Sequence, residues 1–193
     1  MYLNILNDEY SFGTKILFAM IRMVSRHPLP DAAKLVFYRS DFYGKPMKKF
    51  THAAMRGPSD WSVGDRELMA AYISKLNECK FCIGAHTAVA SLAYRDEAKV
   101  SAVLSNPETA PISEALKATL RLLEKLTKGH KVNAGDMRSV LITGVSHKQI
   151  EEALAIYFAF NTTDRLADAF GFEIPDAEGF KAGAKVLLKR GYH

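Results

Sequence analysis

The sequence has few of the features that mark specialised classes of protein. Its 193 residues include only two cysteines, which excludes a disulfide-rich miniprotein. The longest run without a charged side chain, Phe81 to Tyr94, has 14 residues, whereas a membrane-spanning helix needs about 20. Basic residues exceed acidic ones by only 26 to 21 and form no long basic segment. We therefore expect neither a membrane span nor a nucleic-acid-binding surface.

The overall composition is that of an ordinary globular protein. Hydrophobic residues make up 48% of the chain and charged residues 24%, and a chain of this length can bury a substantial core. The N-terminal segment lacks the apolar stretch of a signal peptide, because Asp8, Glu9 and Lys15 interrupt it. We therefore expect a cytoplasmic protein, in which two cysteines would not form a purely structural disulfide.

The spacing of apolar residues predicts an all-α protein. Helical periodicity recurs along the chain, first from Phe12 to Met23, and no segment alternates as a strand would. The segment that ends near Tyr94 is apolar or small nearly all round, which predicts a central, buried helix. Residues 40–62 contain two Gly- and Pro-bearing turns and are predicted to be irregular. No repeat or linker divides the chain into separate domains.

Polar residues mark several predicted helix starts. Asp65 is predicted to cap one helix and Asn77 the next, with Glu78 in the first turn of that second helix. Ser146 and Gln149 have the spacing of a capping box. The predicted cap at Asn77 places the start of the central helix directly before the two cysteines.

Both cysteines lie in one short motif with a histidine. Cys79 and Cys82 are three residues apart and His86 follows four residues later, so on a helix the three side chains share one face. A helix start favours a thiolate, but it contributes only about 0.3–2 kcal/mol. An ordinary thiol, with a pKa of about 8.5, is only a few per cent ionised at neutral pH. We therefore expect His86 or a bridging water to supply the remaining stabilisation of a Cys82 thiolate.

Three interpretations of this motif compete. A reversible redox pair is favoured. Helical neighbours have Cβ atoms about 5–6 Å apart, whereas the Cβ atoms of a disulfide are about 3.8 Å apart. A helix start, unlike the middle of a helix, permits the two cysteines to move this much closer. A zinc site formed by Cys79, Cys82, His86 and one carboxylate is the second interpretation. Two core cysteines beside a buried, hydrogen-bonded histidine are the third. A thioredoxin fold is excluded because no strand precedes the motif.

A second group of polar residues lies further along the chain. Asn161, Arg165 and Asp168 continue the apolar stripe of Tyr157 and Phe158 at helical spacing. We predict that they form a buried polar cluster that fixes helix register or a subunit contact. An ion pair on a solvated face is the alternative.

A longer pattern surrounds the cysteine motif. Glu67 lies twelve residues before Cys79, and the resulting spacing Glu-x11-Cys-x2-Cys-x3-His resembles the active-site signature of one family. That family is the alkylhydroperoxidase D-like branch of the carboxymuconolactone decarboxylase-like proteins. The resemblance covers residues 55–170, and residues 1–50 resemble the N-terminal extension of the peroxidase-related members.

The resemblance implies a fold and an assembly. It implies one compact, all-α domain of the alkylhydroperoxidase D-like type over residues 1–193. Within it we expect an N-terminal helical extension at 1–55, the core at 56–170 and a C-terminal helix at 171–193. The family also implies a homo-oligomer, either a trimer or a hexamer.

The resemblance also implies a reaction, the thiol-dependent reduction of hydroperoxides. Matched by position, Cys82 is the peroxidatic thiol and Cys79 the resolving thiol, while His86 and Glu67 act as base and proton relay. The catalytic cycle forms a disulfide and needs no bound cofactor or metal. An external dithiol reduces the disulfide, and the family suggests a lipoylated protein as that reductant.

One position departs from the family pattern. The best-known hydroperoxidase has a histidine directly before the second cysteine, whereas this chain has Phe81. The substitution removes one member of the proton relay. Two alternatives to a peroxidase therefore stay open: a disulfide reductase that acts on protein partners, and a non-enzymatic redox- or zinc-sensing oligomer.

Overall fold

The computed structural model describes residues 10–25, 27–38 and 40–192, and these residues form ten α-helices and a π-helical turn without any strand. The helices are α1 (Phe12–Ser25), α2 (Asp31–Phe37), α3 (Lys45–Arg56), α4 (Val63–Leu76), α5 (Lys80–Tyr94), α6 (Glu97–Ser105), α7 (Glu114–Thr127), α8 (Ala134–Leu141), α9 (His147–Phe170) and α10 (Ala177–Arg190), and the π-helical turn is Ser40–Gly44. This confirms the all-α prediction. Residues 1–9 of the predicted N-terminal extension lie outside the described part.

The helices α4 and α5 form the centre of the fold. They are joined by three residues and pack along each other more extensively than any other pair of described helices. Helix α9 packs on α4 and α3, and α10 packs on α5. Helix α4 has more buried residues than α5, the helix that was predicted to be central and buried.

Capping groups explain where several helices begin. Ser62 and Asp65 form a capping box at α4, and Ser146 and Gln149 form one at α9. The second confirms the prediction for Ser146. At α4 the cap is Ser62, and Asp65 is the reciprocal acceptor one turn later, so the prediction that Asp65 itself caps the helix is wrong by one turn.

The segment predicted to be irregular contains a well-formed helix. Helix α3 occupies Lys45–Arg56, with Pro46 in its first turn, where the missing N–H of proline costs no hydrogen bond. The Gly44-Lys45-Pro46 sequence is therefore a helix start and not a loop. Because α3 is mostly polar, its short buried face, which includes Thr51 and Met55, gives no clear apolar pattern in the sequence.

The junction between α4 and α5 also differs from the prediction. Asn77 ends α4 instead of capping α5, Glu78 adopts a left-handed conformation with φ of 60°, and Cys79 is the residue that precedes α5. Asn77 keeps its side chain for contacts with α9. The two cysteines therefore straddle the first turn of α5.

The buried side chains fall into two clusters. The larger one joins α4, α7 and α9 around residues such as Leu68, Ile73 and Phe160. The smaller one contains both cysteines together with Leu35, Phe81, Ala167 and Phe172. The cysteine motif is thus part of an apolar cluster covered by the N-terminal segment and the end of α9. Across the described residues, no helix has the length and apolar character required to cross a membrane.

Candidate active site

The two cysteines are buried and unbonded at the start of α5. Cys79 is 0% and Cys82 1% exposed, and both are free thiols. The backbone N–H of Cys79 donates to the carbonyl of Ser74, 3.0 Å away, which holds the junction against the last turn of α4. Cys79 has extended backbone angles, so its side chain is not held at the separation of two residues within a regular helix.

A buried carboxylate adjoins the thiols. Asp164, on α9, is 0% exposed. The Sγ atoms of Cys79 and Cys82 and a carboxylate oxygen of Asp164 all lie within 4.8 Å of one another. Ser74 Oγ donates to Asp164 Oδ1 at 2.9 Å and Asn77 Nδ2 donates to Oδ2 at 2.8 Å. Helices α4, α5 and α9 therefore each contribute to this group.

The neighbours of Cys82 favour its protonated form. The neighbouring Cys79 thiol, burial and the Asp164 carboxylate all raise the pKa of Cys82 well above the ordinary thiol range. The expectation of a thiolate stabilised by the helix start is therefore wrong for this reduced state. The sequence shows the helix start, but it does not show that the sulfur is buried beside a second thiol and a carboxylate.

Glu67 and His86 form a second buried group. His86 Nδ1 lies 2.7 Å from Glu67 Oε2, and Arg56 Nη2 lies 2.6 Å from Glu67 Oε1. The hydroxyl of Tyr192 donates to Glu67 at 3.0 Å from Oε1 and 3.2 Å from Oε2. The edge of Phe160 packs against the His86 ring, with 4.3 Å between ring centroids. Three side chains thus hold a carboxylate that is 0% exposed.

The charges around Glu67 decide its ionisation. Burial alone raises the pKa of Glu67, but His86 and Arg56 outweigh burial, and the net pKa lies below that of an ordinary carboxyl group. Burial and the neighbouring Glu67 raise the pKa of Tyr192 well above its usual value, and Cys82 acts in the same direction. Glu67 is therefore an ionised acceptor, and Tyr192 keeps its proton to donate.

Sequence reasoning missed three residues of this region: Arg56, Asp164 and Tyr192. Arg56 falls in the segment that was predicted to be irregular. Asp164 lies on the helical stripe with Asn161, yet the prediction selected Asp168, which is exposed. The rest of that predicted cluster is bonded to Asn77, which donates to Asn161 and accepts from Arg165. The signal available in the sequence for Asp164 was its position one helical turn after Asn161.

The four predicted site residues occur in two pairs, Glu67 with His86 and Cys79 with Cys82. The zinc set of Cys79, Cys82 and His86 with one carboxylate does not assemble as described, because among the described residues His86 is not part of the group of close ligand atoms. Cys79, Cys82 and Asp164 are the trio of His, Cys, Asp or Glu donors, within the described ranges, that could approach one metal ion. The catalytic roles of the four residues stay predictions.

The ionised Glu67 predicts an acid-sensitive fold. The pKa of Glu67 is lower in the folded than in the unfolded chain. The contribution of Glu67 to stability is therefore complete above the ordinary carboxyl pKa of about 4.3. It is lost as the pH falls through the lower pKa of the folded chain. We expect the free energy of unfolding, measured by urea titration at a series of pH values, to decrease with acid in this range.

Two variants test whether Glu67 causes that decrease. Glu67→Gln should show a flatter acid limb than the wild type, whereas Glu151→Gln, an exposed carboxylate on α9, should keep the wild-type limb. An unchanged acid limb in Glu67→Gln would assign the pH dependence to other carboxylates.

Comparison with known proteins agrees with this arrangement. The sequence profile described as the carboxymuconolactone decarboxylase family matches residues 43–125, which include α3, α4 and the whole cysteine motif. Over these residues the chain is similar to this family. The matched range begins before Arg56, so it includes the arginine that binds Glu67. A comparison with curated proteins finds no significant match.

Two solved structures share the fold of this chain. A peroxidase-related protein from Silicibacter sp. TM1040 superposes with a TM-score of 0.77 at 20% identity, over 92% of each chain. A peroxidase-related protein from Ralstonia eutropha JMP134, described as an alkylhydroperoxidase D core, superposes with a TM-score of 0.75 at 22% identity, over 90% of each chain. Both relatives are described as uncharacterized. The chain therefore has the alkylhydroperoxidase D-like fold.

Proposed function

We propose that this protein reduces hydroperoxides by thiol chemistry, with Cys82 as the attacking sulfur and Cys79 as the resolving sulfur. The observation that carries the proposal is the meeting of two buried free thiols with a carboxylate, in a chain that also pairs the buried Glu67 with His86. The match to the family profile over residues 43–125 and the likeness to peroxidase-related folds support the same chemistry.

The cycle has three balanced steps. Cys82 Sγ attacks the terminal oxygen of ROOH, an S–O bond forms as the O–O bond breaks, and the products are a Cys82 sulfenic acid and ROH. The Cys79 thiol then displaces the sulfenic hydroxyl, which gives a Cys79–Cys82 disulfide and water. An external dithiol restores both thiols and becomes a disulfide itself. A lipoylated protein is the reductant we propose.

The extended backbone at Cys79 supports the second step. Because Cys79 precedes the first helical residue of α5, it is not confined to the Cβ separation of about 5–6 Å found between helical neighbours. Closing to the roughly 3.8 Å of a disulfide then requires a local adjustment at the α4–α5 junction. Cys82 can remain in place on the helix while Cys79 moves.

The Glu67–His86 pair supplies the proton relay in this proposal. Glu67 fixes His86 Nδ1, and Arg56 and Tyr192 in turn fix Glu67. This leaves Nε2 of His86 as the ring nitrogen that passes protons to and from the group of Cys79, Cys82 and Asp164. A carboxylate that orients one nitrogen of an imidazole while the other transfers protons is a common arrangement in acid–base catalysis.

The surroundings of the thiols favour an organic peroxide. Phe81 stands at an angle to Phe172, with 5.3 Å between ring centroids, and Leu35 belongs to the same buried cluster. The best-known hydroperoxidase has a histidine at the position of Phe81. In this chain the ring of Phe81 forms part of an apolar wall beside the thiols. Apolar side chains interact better with an alkyl or aryl group than with water, so we expect cumene hydroperoxide to be reduced faster than hydrogen peroxide.

Reduced protein mixed with cumene hydroperoxide should lose peroxide and thiols in a fixed ratio. We expect one peroxide consumed and two thiols lost per chain, because each cycle ends in an intramolecular disulfide. Peroxide assay, thiol titration and intact mass before and after the reaction measure these quantities.

The result also separates the two enzymatic alternatives. Unchanged thiols after prolonged exposure to peroxide would contradict the peroxidase proposal. Turnover of a small dialkyl disulfide without any reaction with peroxide would favour a disulfide reductase. The fully oxidised protein, which has no free thiol, is the control for non-enzymatic loss of peroxide.

A further inference from the structure

One buried ionisable group has no part in the reaction so far. Asp164 lies 90 residues after Ser74 in the chain and is brought to the cysteines by the packing of α9 on α4 and α5. Its side chain is entirely inaccessible. A carboxylate in such a position is costly unless its charge is compensated or its proton is shared.

The two buried carboxylates of this region are held in different ways. Glu67 has the guanidinium of Arg56 and the ring of His86 as partners. Asp164 accepts its hydrogen bonds from the neutral side chains of Ser74 and Asn77. Neutral donors orient a carboxylate without fixing its charge as strongly as an ion pair does, so Asp164 retains the capacity to gain and lose a proton.

The third neighbour of Asp164 is the proposed nucleophile. The Sγ atoms of Cys79 and Cys82 and a carboxylate oxygen of Asp164 all lie within 4.8 Å of one another, and the Cys82 thiol lowers the pKa of Asp164. One carboxyl group is therefore within reach of both sulfurs. Ser74 and Asn77, on the last turn of α4 and the residue after it, keep that carboxyl group aimed at the thiols.

We propose that Asp164 is a catalytic residue that takes the proton of the Cys82 thiol as the sulfur attacks its substrate and returns it to the departing oxygen. This inference rests on the proposed function of Cys82. In the first step the proton moves from Cys82 Sγ to Asp164 and then to the alkoxide, which leaves as ROH. In the second step Asp164 takes the Cys79 proton and delivers it to the departing hydroxide, which leaves as water.

A base at Asp164 explains how Cys82 can attack a peroxide although its thiol is protonated in the reduced protein. Cys79, burial and Asp164 raise the pKa of Cys82, and burial raises the pKa of Asp164 despite its hydrogen bonds. A carboxylate that lies beside a protonated thiol is placed to accept its proton as the sulfur attacks. His86 lowers the pKa of Asp164 electrostatically. Cys82 raises the pKa values of two further titratable groups, Tyr43 and Tyr192.

The variant Asp164→Asn separates catalysis from electrostatics, because the two roles predict opposite changes in rate. Loss of the negative charge should lower the pKa of Cys82, observed as a shift of the thiolate ultraviolet absorbance to lower pH. If Asp164 only influenced the charge of the thiol, the variant would react faster with cumene hydroperoxide at neutral pH. We instead expect a rate constant about 100-fold lower than that of the wild type, the scale of a general acid–base group. Asp168→Asn, on the exposed side of α9, should match the wild type.

A second variant controls for folding. An asparagine at 164 has one acceptor oxygen where the carboxylate has two, so Asp164→Asn cannot keep the hydrogen bonds from both Ser74 and Asn77 in their present directions. The exchanged variant Asn77→Asp/Asp164→Asn restores a donor and an acceptor at these two positions but moves the carboxylate. We expect it to recover thermal stability and to remain slow. Recovery of the rate together with stability, or a single variant that reacts as fast as the wild type, would overturn the proposal.

The wild-type reaction distinguishes this inference from the proposed function. If the wild type reduces peroxide and Asp164→Asn does so equally well, only the role of Asp164 fails. If the wild type leaves peroxide unchanged, the peroxidase proposal fails, and the same variants are compared with a small dialkyl disulfide, whose departing sulfur needs the same proton. A slow Asp164→Asn in that reaction supports the proton-transfer role, and an unchanged rate overturns it.

Discussion

Cys82→Ser is expected to abolish hydroperoxide reduction, including the first turnover. A serine hydroxyl in place of the thiol keeps the shape of the side chain, but it does not displace the oxygen of a peroxide. The rate constant with cumene hydroperoxide should fall by at least about 1,000-fold, to the level of the buffer, since the variant lacks the covalent step altogether. Stopped-flow peroxide consumption with the reduced variant measures this effect.

Cys79→Ser is the matched control, because the two cysteines are both buried and lie within one turn of each other. It should consume one peroxide per chain at close to the wild-type rate and then stop with a sulfenic acid at Cys82. A dimedone adduct located by mass spectrometry identifies that product. The reverse result, with an adduct at Cys79 in Cys82→Ser, would exchange the roles of the two cysteines.

The helical class and the cysteine motif could be predicted because both depend on short-range spacing. Helical periodicity locates α1, α4, α5, α7 and α10 within a few residues, since apolar residues recur in each at intervals of three and four. Cys79 and Cys82 lie at the first turn of one helix, so their proximity follows from local geometry alone. The link from Glu67 to His86 needed the family resemblance, because it joins two different helices.

The partners of Glu67 could not be predicted in the same way. Tyr192 is 125 residues from Glu67 in sequence, and its position depends on how α10 packs on α5. Arg56 lies at the end of a helix whose polar composition concealed it. Contacts of this kind are fixed by tertiary packing, and a single sequence carries no periodic signal for them.

The ionisation of Cys82 illustrates a second limit of sequence reasoning. The helix start next to Cys82 was visible, and its favourable effect on a thiolate has the correct sign. Its size, about 0.3–2 kcal/mol, is small compared with the cost of burying a charge beside another acidic group. Only the three-dimensional arrangement brings Asp164 to the sulfur, and that arrangement determines which effect is larger.

Glu67→Gln is expected to be the most destabilising single substitution discussed for this site. The glutamine keeps the volume of the side chain but leaves the buried guanidinium of Arg56 without its charged partner. Removal of one member of a buried ion pair typically costs about 3–5 kcal/mol, because the remaining charge stays desolvated. Chemical denaturation at neutral pH should show a loss of this size in the free energy of unfolding.

The chain offers a matched control for this loss in a second arginine–glutamate pair. Arg121 Nη1 lies 2.7 Å from Glu108 Oε2, but the two side chains are 48% and 49% exposed, and exposed pairs contribute about 0–1 kcal/mol. Glu108→Gln should therefore have little effect. The double variant Arg56→Met/Glu67→Gln should be more stable than Glu67→Gln alone, since it removes the unpaired charge. Equal losses for Glu67→Gln and Glu108→Gln would show that burial does not set the strength of the Arg56–Glu67 pair, and Glu67 would then owe its position to His86 and Tyr192.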